Sequence, residues 1–312
     1  MKSGNIQNIL RKHLGVIATL VVLWITFSIA SPWFFTFYNI INILNNTTIT
    51  LILALGMVFV IASGGIDLSI GSTLGFTGIV VAMILKANVP PFLAVICGLA
   101  IGGSIGCING LIISKFHIQP FIVTLGMLSI VRGLALVVSQ GQPIYGFPMS
   151  YTNFFSGGEV IPSNIWIMIF LTGVIALLAI KTRFGLYAKS IGGSEESAII
   201  CGINTGRVKI LIYTMQGMLA AVASFVFMSM MDAAEPLAGL QTECLEAIAA
   251  PIIGGNALSG GGITIFGTVI GALILSTVRN GLNIFGMQPF TQQLFIGLII
   301  IISVIVDSLR RR

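Results

Sequence analysis

Chemistry has few residues to draw on in this chain. Two histidines, four cysteines and nine carboxylates are spread over 312 residues. Acid–base catalysis needs an imidazole or carboxylate within hydrogen-bond reach of its reacting partner, yet His13 and His117 are isolated and lie near the ends of apolar runs. Cys97, Cys107, Cys201 and Cys244 form no Cys-x-x-Cys pair and show no metal-ligand spacing. They read as small apolar side chains. The Gly-x4-Gly-Lys-Ser/Thr loop that cradles nucleotide phosphates does not occur. No catalytic set, metal site or cofactor is therefore expected in the chain itself.

Two short polar segments remain. Gly64-Gly65-Ile66-Asp67-Leu68-Ser69-Ile70-Gly71-Ser72 interrupts two apolar runs. Irregular backbone among apolar surroundings survives only inside protein, beside water or at an interface. Asp67 is thus either a pathway or gate residue or a cap on the positive end of the following helix. Asp67, Ser69, Asn256 and Ser259 are the pathway or gate candidates. In the second segment Ser194 suits an N-cap, Glu195 and Glu196 fill a first turn, Ala198 to Cys201 are helix-compatible, and Gly202 suits C′. The pattern predicts a two-turn helix whose acidic start anionic lipid would repel, which makes a protein its expected partner.

The elements that hold these segments are apolar. Hydrophobic residues make up 56% of the chain and charged residues 8%, too few charges to cover a soluble domain, where about 25% is usual. Ten apolar stretches run approximately from 14–34, 46–63, 70–85, 91–114, 120–138, 165–180, 209–230, 244–256, 263–278 and 291–308. The expectation is an all-α polytopic membrane protein of about ten transmembrane helices forming one domain, 1–312. The eighth stretch is too short to span and is expected to be broken or re-entrant. The first, although preceded by Arg11 and Lys12 like a signal peptide, is read as a retained span. The net charge of +6 collects at span ends, which argues for lipid and against nucleic acid. Lys2, Arg11 and Lys12, the cluster Lys181, Arg183, Lys189, Arg207 and Lys209, and Arg310 to Arg312 all fall on one side in an N-in, C-in scheme. Lys115 and His117 join them. Asp232, Glu235, Glu243 and the polar stretch 140–164 fall outside, as do the exceptions Lys86 and Arg279. Asp67, Arg132 and Arg279 are read as lying near span ends, where snorkelling accounts for them.

Glycine recurs at Gly98, Gly102, Gly106 and Gly110, and again at Gly267 and Gly271, a stripe that lets helix backbones approach closely. Gly64–Gly71 matches Gly254–Gly261 at five of eight positions, and Asn109-Gly110-Leu111 with Pro120-Phe121 recurs as Asn280-Gly281-Leu282 with Pro289-Phe290. An internal repeat is the simplest account, an arrangement common in transporters.

The segment at 64–72, the loop from Gly192 to Ile203, Ile253 to Gly261, and the Asn280-Gly281-Leu282-Asn283 and Pro289-Phe290 pair together resemble the ribose-type permeases of bacterial ABC importers, over residues 40 to 308. The resemblance implies a permease subunit for a monosaccharide in the bacterial inner membrane. It implies three kinds of partner: an ATPase subunit that binds ATP and Mg, a periplasmic sugar-binding protein, and a second permease copy, identical or related. It implies that the 181–208 loop couples to the ATPase through Ser194, Glu195, Glu196, Ser197, Ala198 and Gly202. The family's usual Glu-Ala-Ala is Glu196-Ser197-Ala198 here. Ribose, other pentoses, galactose, allose and autoinducer-2 are all cargo of such systems. The alternative is a secondary transporter or channel acting without an ATPase, although the spans lack the paired carboxylates and histidines that ion-coupled carriers tend to use.

Overall fold

The computed structural model describes residues 3–240 and 242–310. Lys2, Arg311 and Arg312, used above for orientation, lie outside the described residues. Among the described residues the regular structure is helical apart from one pair of two-residue strands. Its order is α1 (Ser3–Ala30), α2 (Phe37–Ala62), α3 (Ile70–Lys86), α4 (Pro91–Phe116), α5 (Pro120–Ser139), β1 (Ile144–Tyr145), α6 (Met149–Ser156), α7 (Ser163–Lys181), α8 (Arg183–Gly193), α9 (Glu195–Ile200), α10 (Thr205–Met231), β2 (Ala233–Ala234), α11 (Glu243–Ile253), α12 (Ile265–Ile284) and α13 (Pro289–Arg310). Six described helices, α2, α4, α5, α7, α10 and α12, are long and apolar enough to cross a membrane.

Helix α2 is the central post. From Leu51 to Ala62 it is buried on every side, as expected of a helix that is hydrophobic all round, and it packs against α7, α8, α10, α11 and α12. It begins at Phe37, nine residues before the apolar stretch predicted at 46. Asn45, Asn46, Thr47 and Thr48 depress the local hydropathy, but Thr47 Oγ1 donates back to Ile43 O at 2.7 Å and Asn45 Oδ1 accepts from Asn164 Nδ2. Polar groups satisfied inside a helix bundle do not interrupt it.

The glycine stripe of α4 lies against α10. A methyl added at Gly102 would stand 2.4 Å from Gly217 O, at Gly106 2.0 Å from Tyr213 O, and at Gly110 2.6 Å from Ile210 Cα. Gly267 and Gly271 of α12 meet Gly254 O and Ala250 O of α11 in the same manner. Both stripes are thus closed packing seams. By contrast α5 and α7 turn large apolar side chains outward, among them Val137, Trp166 and Phe170.

Three sequence readings are corrected. Arg279 is not in a loop or at a span end: it is the fifteenth residue of α12 and pairs with buried Glu246 of α11, whose Oε2 accepts from Thr50 Oγ1 at 2.9 Å. Asp67 is buried in the α2–α3 connection. Within the polar stretch 140–164, β1 pairs antiparallel with β2, Ile144 opposite Ala234, and α6 packs on α7 and α10. Local composition carried no sign of partners some seventy to ninety residues away.

Gly106→Ala is expected to lower stability by about 1–3 kcal/mol, because its methyl meets backbone that cannot move aside. Gly126→Ala on α5, where a methyl meets nothing, is expected to change it by less than about 0.5 kcal/mol. Thermal unfolding of the two variants in detergent checks this.

Candidate functional site

The segment from 182 to 204 is a helical corner. Helix α8, which sequence periodicity did not reveal, runs to Gly193, and extended Ser194 turns the chain into α9. Ser194 Oγ accepts from Ser197 N at 3.2 Å, the N-cap expected. Gly202, at φ +80°, is C′: its N–H reaches Ile199 O at 2.9 Å and that of Ile203 reaches Ala198 O at 3.0 Å. This double closure needs a left-handed residue, which glycine adopts without strain. Ala198 is buried and seats the helix. Glu196, Ser197, Ile199 and Ile200 face outward, with Ile200 86% exposed.

Glu195 behaves differently from its neighbour. Its Oε2 lies 2.7 Å from Lys209 Nζ, in the first turns of α10. Partial burial pushes the carboxyl up, but the Lys209 ammonium and the Thr205 hydroxyl outweigh it, so its pKa lies below the ordinary value. Glu195 fastens α9 to α10, leaving Glu196 as the free acidic group of the first turn.

Behind this corner, three backbones meet. Gly261 N donates to Ala62 O at 2.9 Å, tying the loop after α11 to the end of α2. Gly192 lies over that bond: a methyl on it would stand 1.9 Å from Ala62 O and 2.6 Å from Gly261 N. The corner carrying α9 therefore rests at once on the end of α2 and on the glycine-rich loop after α11. A cleft of about 330 Å³ opens beside it, between Gly64, Gln119, Gly192, Glu195, Lys209 and Tyr213.

The four pathway candidates fall into two groups. Asp67 Oδ1 accepts from Ser69 N at 2.8 Å and from Ser69 Oγ at 2.6 Å, and Asn109 Nδ2 donates to Ser69 Oγ at 2.9 Å. Ser69 is the N-cap residue of α3, so Asp67 braces that helix from two residues before its cap. Asn256 Oδ1 accepts from Thr264 N at 2.7 Å while its Nδ2 donates to Pro251 O and Thr268 Oγ1. Asp67, Ser69 and Asn256 are buried and hold two irregular loops in shape; Ser259 is exposed. Sequence reasoning missed Glu246, whose only local signal was a carboxylate inside an apolar stretch, and named Gly192 as part of the loop to Ile203 without its packing role.

Among the described residues no group of three His, Cys, Asp or Glu could hold a metal ion. A family model described as the branched-chain amino acid transport system / permease component matches residues 39–304. The chain is 42% identical over 302 residues to the ribose import permease protein RbsC of Bacillus subtilis (strain 168), spanning 95% of this chain and 92% of that protein. Identity to the protein of the same name from Escherichia coli (strain K12) is 39% over 308 residues, spanning 96% and 94%. To the D-allose transport system permease protein AlsC of the same organism it is 37% over 298 residues, spanning 95% and 91%. No solved structure matches it.

Two outcomes follow from the corner's geometry. Because folding lowers the Glu195 pKa, the tie to Lys209 is complete above the ordinary carboxylate range and is lost as pH falls through the lower, folded value. Protection factors of the 195–203 amides should drop over that acidic window, and Lys209→Met should abolish the step. Gly192→Ala, forced against two backbones, should destabilise the protein by about 1–3 kcal/mol and expose the 254–264 loop to hydrogen exchange, whereas Gly193→Ala, where a methyl meets nothing, should do neither.

Proposed function

This chain belongs to the branched-chain amino acid transport system / permease component family, and on that premise we propose how it works. It is the membrane-embedded permease subunit of a monosaccharide ABC importer, with the ATPase on a separate subunit. The observation that carries this is near-full-length identity, at 37% to 42%, to sugar permeases. The cargo we assign is ribose or a sugar close to it, since relatives named for ribose stand above the one named for allose.

In our reading the protein lies in the bacterial inner membrane with ten crossings, formed by α1, α2, α3, α4, α5, α7, α10, α11 with its flanking loops, α12 and α13, and with both termini inside. Helix α11, at eleven residues or about 16 Å, cannot cross about 30 Å of hydrocarbon alone. It is a half-helix entered from a loop that descends beside α3, where Gly71 and Gly75 admit the backbone of Gly239 and Ala238. Two groups of contacts support the scheme: it puts Ala62 at the end of α2, Gly192 and the loop of Gly260 and Gly261, which touch, on one side, and the paired strands β1 and β2 on the other. The matching Gly64 and Gly254 segments derive, in this reading, from a duplicated half.

The loop 181–208 is the coupling element. Ser194, Ala198 and Gly202 shape α9, Glu195 fastens it to α10, and Glu196, Ser197, Ile199 and Ile200 meet the ATPase, which binds ATP and Mg. Force on α9 reaches Gly192 and, through it, the loops braced by Asp67, Ser69 and Asn256. Ser259, exposed in the second loop, completes the proposed gate. A sugar-binding protein delivers cargo outside, and a second permease copy closes the path.

Proteoliposomes holding this chain, its ATPase and a ribose-binding protein should accumulate ribose when ATP is supplied, and the chain alone should accumulate none. Ile200→Glu should reduce ATPase co-purification roughly tenfold or more at unchanged membrane yield. Uphill uptake without an ATPase would overturn the assignment.

A further inference from the structure

The outward faces of α5 and α7 are not alike. Helix α7 presents Trp166, Ile169, Phe170, Leu177 and Ile180 outward, the bulky apolar set that hydrocarbon accepts. Helix α5 is at least as exposed and also carries apolar bulk, among it Ile122, Leu125, Ile130 and Val137, but its outward residues further include Gly126, Ser129 and Arg132. Gly126, Ser129 and Gly133 follow one another at spacings of three and four, so they share a face. Added methyls at Gly126 and Gly133 meet nothing. Arg132 sits between Ser129 and Gly133 and, among the described residues, has no ion pair or hydrogen bond.

Position decides what an unpaired guanidinium there faces. Arg132 is the thirteenth of the twenty residues of α5, about 18 Å from Pro120 and about 10 Å from Ser139 at 1.5 Å per residue. Helical side chains lean toward the N-terminus, so Arg132 leans away from its nearer end and toward the middle of the span. Snorkelling, which explains a basic residue at a helix terminus, would here require the side chain to fold back over at least a turn. An intramembrane charge faces a water-filled cavity, a bundle interior or a counter-charge. Arg279, the other arginine well inside a span, has its counter-charge in Glu246. Arg132 has none among the described residues.

We propose that Arg132 lines the translocation path and donates hydrogen bonds to the hydroxyls of the passing sugar, with the small Ser129 one turn before it on the same face. This rests on the importer reading above. The guanidinium offers five donors and stays charged, and a polyol offers an acceptor on nearly every carbon, so the two match without requiring one fixed pose.

The test uses the assembled importer in proteoliposomes, with the four native cysteines replaced by serine and a single cysteine introduced. Arg132→Cys should react with a charged, membrane-impermeant methanethiosulfonate, reaction should block uptake, and ribose should slow it. Phe170→Cys on α7 should react only with an uncharged, permeant reagent. Separately, Arg132→Gln should raise the sugar concentration for half-maximal uptake roughly tenfold, the loss of one charge-assisted hydrogen bond, with Arg132→Lys recovering part of it. An Arg132→Cys protein that reacts only with the permeant reagent faces lipid, and one that reacts with neither but cross-links between two permease copies lies in a closed seam; either result overturns the proposal. Failure of the cysteine-free parent to import any monosaccharide would instead strike the importer reading, since labelling at residue 132 is read without transport.

Discussion

Backbone packed against backbone is the interaction on which this structure depends. In an apolar surrounding every peptide group has to find its partner within the protein, and the chain meets that demand wherever glycine removes the side chain that would hold two segments apart. Helices α4 and α10 touch through Gly102, Gly106 and Gly217. The descending loop touches α3 through Gly71 and Gly239. The corner before α9 touches the end of α2 and the glycine-rich loop after α11 through Gly192. Without these approaches the irregular segments could not lie as close to their neighbours as they do.

The same constraint explains why the polar side chains that look most like a transport site are engaged in structure. Asp67, Ser69, Asn109, Asn256 and Thr268 are buried, and their hydrogen bonds are spent on loop backbone and on one another. A buried polar group left unpaired costs about 1–3 kcal/mol, so these residues are present because the loops are irregular. A loop held by a few such bonds is also an element that can shift as a unit.

Charge is distributed by the same logic. Glu246 and Arg279 neutralise each other between α11 and α12, and Thr50 takes the remaining carboxylate oxygen. Glu195 and Lys209 do so at the surface, where the pair fastens a six-residue helix that could not persist alone. With those charges accounted for, the outward Arg132 of α5 stands apart, with no ion pair or hydrogen bond among the described residues.

Much of this was legible in the chain itself, for physical reasons that are local. Composition and long apolar runs specify a polytopic helical membrane protein, because the bilayer selects for both directly. Ser194, Glu195, Glu196 and Gly202 specify a capped short helix, because caps act within one turn. Glycine every fourth residue specifies a close helix seam. What the tertiary structure alone decided are the partners: that the seam of α4 faces α10, that Glu195 belongs to Lys209, that Arg279 finds Glu246, and that Gly192 seats the corner on the end of α2 and the loop after α11. Those pairings join residues from 14 to more than 100 positions apart. A sequence pattern records what a residue needs locally, but only the packed chain determines which distant atom supplies it.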